Sequence, residues 1–357
     1  MPYITKKGLP FAYKGAVNVE DCKSSQEVIE KANLDWKVAK SEIYSKFPVE
    51  EDVMKNQSLY FEHHFMGNDD NGAPALYAKV PNGYATYRED YGIPLGIVKA
   101  RYTPVQNSEA FTFFDDAIGK NAAIWQTAGF FGMGERIFVS AKLPNTIEVK
   151  GDPVDSYLVF TNSHDGSSGV KILFTPIRII CLNTLNAAIR KATNYVSFRH
   201  TQSVHESIST AKEILGICDT ISANLKEAYT EMAKITIKDD KFQQLVGELV
   251  LSQGEIDKLK EGGYNIKSIF NRNYNALEYA NISTQKYKAM TNIEMYYHEG
   301  IGQKEIEGTG WGVYNAITGY YSNMENNNGT KRMDTLLYGD RARKIQLFGE
   351  TILAQAV

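Results

Sequence analysis

Cysteine is scarce. Cys22, Cys181 and Cys218 are far apart, odd in number and form no CxxC pair. That excludes a disulfide framework and a zinc knuckle, and it fits a reducing compartment. There is no apolar run of about 18 residues, the length that a membrane-spanning helix needs. The opening stretch MPYITKKGLPFAY has no apolar core of a secretory signal. Together these point to the host cytosol, with no membrane. Neither GxGxxG nor GxxxxGK[ST] occurs, so nucleotide-driven chemistry lacks its commonest signature. No HExxH or related metal spacing is found, and no cofactor is expected. A large excess of basic charge is absent as well: 39 Lys and Arg stand against 42 Asp and Glu, for a net charge of −3. A uniformly basic nucleic-acid protein is thereby excluded, though a local basic patch is not.

What the chain does contain is ordinary globular material. Of its 357 residues, 43% are hydrophobic and 23% charged, which allows a sizeable core. Tyrosine is abundant, at 22 residues, and suits half-wet surfaces and interfaces. The pattern divides near residue 202. Residues 1–202 read as mixed α and β. Ser24-Ser25-Gln26-Glu27 has the form of a capping box ahead of a short helix. GNDDNGAP (67–74) reads as a polar loop, and 84–102 as two short strands around Tyr91-Gly92. Asn107 can cap a helix through Phe111, Phe114 and Ile118. Two hairpins follow, one over 124–143 turning at Gly132-Met133-Gly134. The other covers 156–174 and turns at Asp165-Gly166, where Asp-Gly predicts a two-residue type I′ turn. Pro176 ends that ladder or places its strand on an edge. Asn183 or Thr184 then caps a helix over LNAAIRKA. From 203 to 357 the text is mostly helical. Ser203-Val204-His205-Glu206 opens a long amphipathic helix through Met232, and Ser252-Gln253-Gly254-Glu255 caps a shorter one. Loops are expected at 300–310 and 323–330, with a last helix after Asp334. The fold class is therefore α+β: a hairpin-rich antiparallel sheet with helices, then a mainly helical C-terminal region.

Ser163-His164-Asp165 has the residue types of a hydrolytic triad. A nucleophile, its base and the orienting acid must converge in space, whereas neighbours along a strand point to opposite faces. The triplet reads as a hairpin tip. Glu62-His63-His64 with Asp69-Asp70 reads as a polar strand end, and Asp115-Asp116 as solvated carboxylates. Gly129-x-x-Gly132-x-Gly134 is read as a turn, because no helix follows it.

One local feature stands out. Between Thr161 and Thr201 there are five basic residues, Lys171, Arg178, Arg190, Lys191 and Arg199, and one acid, Asp165. His164 and His200 flank this island, and Tyr195 and Phe198 lie inside it. Cations interleaved with aromatic rings suit a groove for single-stranded nucleic acid. The charges neutralise phosphates, and the rings stack on bases of any sequence. Lys171, Arg178, Arg190, Lys191 and Arg199 would grip phosphates, Tyr195 and Phe198 would stack, and His164 would shape the hairpin beside the strand.

Several phrases carry a family resemblance. They are Leu34-Asp35-Trp36, Tyr102-Thr103-Pro104-Val105-Gln106-Asn107 with Glu109-Ala110-Phe111, and Thr127-Ala128-Gly129. The most specific is TNSHDGSSGVKILFTPIRIICLNTLNAA with Phe198-Arg199-His200-Thr201. Thr309-Gly310-Trp311-Gly312 and Asn315-Ala316-Ile317-Thr318 complete the set. Over about residues 10 to 320 the chain resembles the phage/plasmid-like protein family, a domain-of-unknown-function group of mobile elements. The family's genomic habit is similar to that of single-strand annealing proteins of the RecT, Redβ and Erf type. That likeness implies ATP-independent, oligomeric binding of single-stranded nucleic acid in annealing, recombination or replication. Two other readings stay open: a nuclease or hydrolase centred on His164 and Asp165, and a protein–protein module such as an inhibitor of host defence.

Overall fold

A computed structural model describes residues 16–48, 64–111, 124–178, 181–182, 195–201, 212–324 and 340–356. Its architecture is α+β, with antiparallel sheets mostly in the N-terminal half and helices in the C-terminal half. The expected fold class is the one observed.

The larger sheet has the order β1-β6-β7-β8-β9-β10, with β11 also paired to β9. Its strands are β1 (Ala16–Asn18), β6 (Ile124–Phe131), β7 (Arg136–Val149), β8 (Asp152–Ser163), β9 (Val170–Arg178), β10 (Cys181–Leu182) and β11 (Tyr195–Phe198). Both expected hairpins are present, as β6–β7 and β8–β9. The second turn differs from expectation. It is a loop over 164–169, not a two-residue type I′ turn. Only Gly166 of the Asp-Gly pair has positive φ, at 75°. The Asp165 carboxylate accepts hydrogen bonds from the backbone N–H and the hydroxyl of Ser167. That local bonding holds the chain in a wider loop than the tight turn would need. β9 meets β11 over 170–173 and β10 over 177–178. Pro176 falls in the gap between these two pairings, a position suited to a residue that cannot donate to a ladder.

A second sheet, of four strands in the order β2-β4-β3 with β5 also on β4, was not anticipated in full. It comprises β2 (Val38–Pro48), β3 (His64–Asn68), β4 (Pro74–Arg88) and β5 (Pro94–Lys99). Of these, β5 and the end of β4 were expected as strands, and a strand end was expected at His64. The loop expected over 67–74 is shorter, because Gly67 and Asn68 belong to β3 and Pro74 to β4; within it Asp69 accepts from the backbone N–H groups of Asn71 and Ala73.

The two sheets touch at the 164–169 loop. A Cβ added at Gly96 would lie 2.5 Å from both the Cα and the carbonyl oxygen of Asp165. Because the obstacle is backbone, the contact has no flexible side chain to yield. Gly96→Ala is expected to lower stability by about 2 kcal/mol or more, read from urea unfolding. Arg88 adds a second tie. Its guanidinium pairs with Asp90, donates to the Met133 carbonyl at 2.9 Å and stacks over the Trp36 ring at 4.3 Å.

Among the described residues the α-helices are α1 (Ser25–Lys31), α2 (Lys212–Lys234), α3 (Asp239–Val250), α4 (Gln253–Glu261), α5 (Ile266–Phe270), α6 (Tyr274–Tyr279), α7 (Thr284–Glu299), α8 (Gly310–Gly319) and α9 (Asp340–Leu353). Ser24 caps α1, and Ser252 with Glu255 forms the expected capping box of α4. Every residue of α8 is buried. Its Trp311 Nε1–H donates to Asp152 at 2.7 Å, tying the helices to the start of β8. Lys150 donates to the Ala233 carbonyl at the end of α2. One hydrophobic core runs through both halves, from Val19 to Ile352. The expected boundary at 202/203, the cap at Ser203, the Asn183/Thr184 helix and the Phe114–Ile118 segment lie outside the described residues. Among the described residues, no helix is long and apolar enough to cross a membrane.

Candidate functional site

Four of the phrases that carry the family resemblance meet in one buried polar cluster behind the 164–169 loop. His164 is fully buried, and its ring has no hydrogen bond to Ser163 or Asp165, which bond each other. Its partner is Asn107, 57 residues earlier. Asn107 uses its amide N–H groups on the carbonyls of Leu34 (2.9 Å) and Trp36 (3.4 Å). Its Oδ1 is therefore the acceptor, and His164 Nε2–H donates to it at 3.0 Å. The Trp36 ring stands edge-on to the imidazole, 5.4 Å away. Beside it, the Asn162 amide N–H donates to the Val105 carbonyl at 3.0 Å.

The FRHT segment closes the cluster. His200 Nδ1–H donates to the Thr103 carbonyl at 3.2 Å, and Thr103 N–H donates to the His200 carbonyl at 3.1 Å. The Tyr102 ring stacks on His200 at 4.5 Å, and its hydroxyl donates to the Ser163 carbonyl at 2.8 Å. Thr86 Oγ1 donates to the His164 carbonyl at 2.6 Å, bringing in β4. So the segments 34–36, 102–107, 162–167 and 198–201, distant in sequence, form one clasp.

Burial sets the charge state of this cluster. Desolvation, with the nearby His200 as a smaller cause, pushes His164 down to about 3 against a slight opposing pull from Asp165. Desolvation likewise lowers His200 to about 4, offset in part by its bond to Thr103. Both imidazoles are neutral at physiological pH. Burial also raises the Tyr102 hydroxyl above its usual range.

These contacts answer the Ser-His-Asp question. Ser163 Oγ donates to Asp165, and both belong to the loop's own hydrogen bonding with Ser167 and Ser168. His164 bonds neither of them. The triplet is a loop tip, not a catalytic triad. The expectation that His164 would lie near a bound strand is corrected as well, because a side chain with no exposed surface has no contact to offer there.

Of the basic residues, Lys171 and Arg199 lie next to the same region, on β9 and just after β11. Antiparallel register puts Ser197 opposite Lys171, Tyr195 opposite Leu173 and Phe198 opposite Val170. Alternation places positions 171, 195 and 197 on one face. Ser197 and Arg199 are exposed, and Lys171 is half-buried. Phe198 is on the other face, half-buried and packed on the core, so stacking on bases is not its role in this structure. Arg178 ends β9 opposite Cys181. Arg190 and Lys191 lie outside the described residues. Sequence reasoning missed Arg136, which stands opposite Ser163 on β7 and donates to Ser167 Oγ at 2.8 Å. Its signal was hidden because it lies outside the 161–201 island.

Among the described residues no group of three or more His, Cys, Asp or Glu is placed to hold a metal ion. No curated protein and no solved structure matches the chain. A family profile described as a domain of unknown function, DUF932, matches residues 94–349, a span that holds most of the clasp and the whole basic border. That span is well over half of the chain, which belongs to this family of unknown function.

Proposed function

We propose that the protein is a non-enzymatic, ATP-independent binder of single-stranded nucleic acid, using the border formed by β9, β11 and the 164–169 loop. The observation that carries this reading is the β9–β11 register. It puts Lys171 and Ser197 side by side, with Arg199 following, while Arg136 reaches the same loop from β7. Phosphates would be gripped by Lys171 and Arg199, joined by Arg136 and Arg178. Tyr195 would supply the stacking ring. The buried clasp holds β11 and the loop in place but does not touch the ligand. The resemblance to proteins of phages and plasmids supports a place in annealing, recombination or replication, in the host cytosol and as a homo-oligomer.

The enzyme reading loses its main support, since His164 meets an amide and neither Ser163 nor Asp165. The test is fluorescence anisotropy of a labelled oligothymidylate with the wild type and the Lys171→Glu/Arg199→Glu double variant. Removal of two phosphate contacts should weaken binding by at least about tenfold and make the salt slope shallower by about 1.4. Equal affinity in the two proteins would overturn this assignment of the border.

A further inference from the structure

Three acceptor atoms in the clasp are buried and have no hydrogen-bond partner: His164 Nδ1, His200 Nε2 and Asn162 Oδ1. Buried polar atoms are rarely left so, and three in one cluster call for a ligand. All three are acceptors only. Each imidazole uses its other nitrogen as the donor, to Asn107 Oδ1 in one case and to the Thr103 carbonyl in the other. Asn162 likewise spends its amide N–H on Val105. The vacant lone pairs therefore want a cation or a donor.

The way the rings are anchored narrows the choice. A histidine that ligates a metal almost always donates its second ring N–H to a carbonyl or carboxylate, which fixes tautomer and orientation. Both histidines have that arrangement, and Asn107 is itself held by two backbone carbonyls. The three side chains are anchored along one short segment: His200 on Thr103, Asn162 on Val105 and His164 on Asn107. Tyr102 links the two histidines, stacking on the His200 ring while its hydroxyl donates to the carbonyl of Ser163, the neighbour of His164. Both rings are at least nine-tenths buried, at 0% and 7% exposure.

We propose that His164 Nδ1 and His200 Nε2, with Asn162 Oδ1, form a binding site for a borderline divalent cation of the zinc, cobalt and nickel class. Two nitrogens and one amide oxygen suit such ions better than calcium or magnesium, which prefer all-oxygen shells. The role is structural. The ion would clip the FRHT segment to the end of β8 and so fix the β11 border. This inference is independent of the nucleic-acid reading, because the cluster is buried behind that border.

The test uses the full chain, stripped with EDTA and titrated with cobalt(II) and with zinc chloride. The expected results are one ion per chain, nitrogen-ligand absorption bands with cobalt, and a raised melting temperature. In wild-type protein, ¹⁵N imidazole spectra should show zinc moving His164 Nδ1 and His200 Nε2 out of the free, unprotonated range. His200→Gln should weaken zinc by at least the roughly 10–100-fold that loss of an outer hydrogen-bond partner costs. His298→Gln, at an exposed histidine paired with Glu307, should change nothing. Failure to bind one ion, unchanged affinity in His200→Gln, or zinc shifts confined to other histidines would each overturn the site. The spectra keep the test decisive even if the variant folds poorly.

Discussion

Asn107→Ala is expected to unfold at a much lower urea concentration than the wild type, with a loss of about 3–5 kcal/mol. The substitution removes little volume, so cavity formation is not the main cause. It strips the partner from three buried groups at once: His164 Nε2–H and the carbonyls of Leu34 and Trp36. Each orphaned buried group costs about 1–3 kcal/mol, and the costs combine less than additively because the groups are neighbours. Asn107→Asp is the sharper variant. It keeps the acceptor for His164 but replaces the donors with a charge facing two carbonyls. It should be at least as damaging as alanine at neutral pH. A loss below about 1 kcal/mol for both would mean that the clasp does not hold the fold together.

The second large effect is on pH. In metal-free protein, stability should fall steeply as pH drops below about 6.5, the value for an unperturbed histidine. The sign follows from burial. His164 and His200 are held down to about 3 and about 4 in the folded chain. Between those values and 6.5 the unfolded chain takes up protons that the folded chain refuses, and proton uptake by the unfolded state lowers the unfolding free energy. Above 6.5 both states are neutral and the effect vanishes. The loss from the two histidines by about pH 5 is at most roughly 4 kcal/mol, most of it above the range in which carboxylates titrate. Urea midpoints measured in EDTA across this range would show it. The His164→Gln/His200→Gln double variant should be less stable at neutral pH yet lose little further stability on acidification. A wild-type midpoint flat from about pH 7 to 5 would contradict the neutral, desolvated pair.

Much of the fold was legible because its signals are local. The β6–β7 and β8–β9 hairpins show dense apolar strands around glycine turns, and the α4 capping box is written in four consecutive residues. The second sheet was harder. β2 and the first half of β4 carry Lys, Glu and Ser among their strand residues, and Pro81, Asn82 and Gly83 interrupt β4. A strand exposed on both sides has no clean alternation to read. The Asp165-Gly166 turn misled for another reason. The same Asp that favours a tight hairpin also bonds its own backbone, and here that bonding won.

The clasp itself was visible only as a set of unusual phrases. TNSHDGSS, YTPVQN, LDW and FRHT stand out as words, yet nothing local links His164 to Asn107 or His200 to Thr103, 57 and 97 residues apart. Their meeting is a property of the tertiary fold. Lys171, Arg199 and Phe198 show the complementary limit. Composition found the island, but only strand register sets Lys171 beside the exposed Ser197 and Phe198 beside the buried Val170.

The measurement that bears most directly on the account is the affinity of the wild type for single-stranded oligothymidylate as a function of potassium chloride concentration. If the β9–β11 border neutralises about four phosphates, log affinity falls against log salt with a slope of roughly −3. A slope near zero, or no binding at the lowest salt, would contradict it.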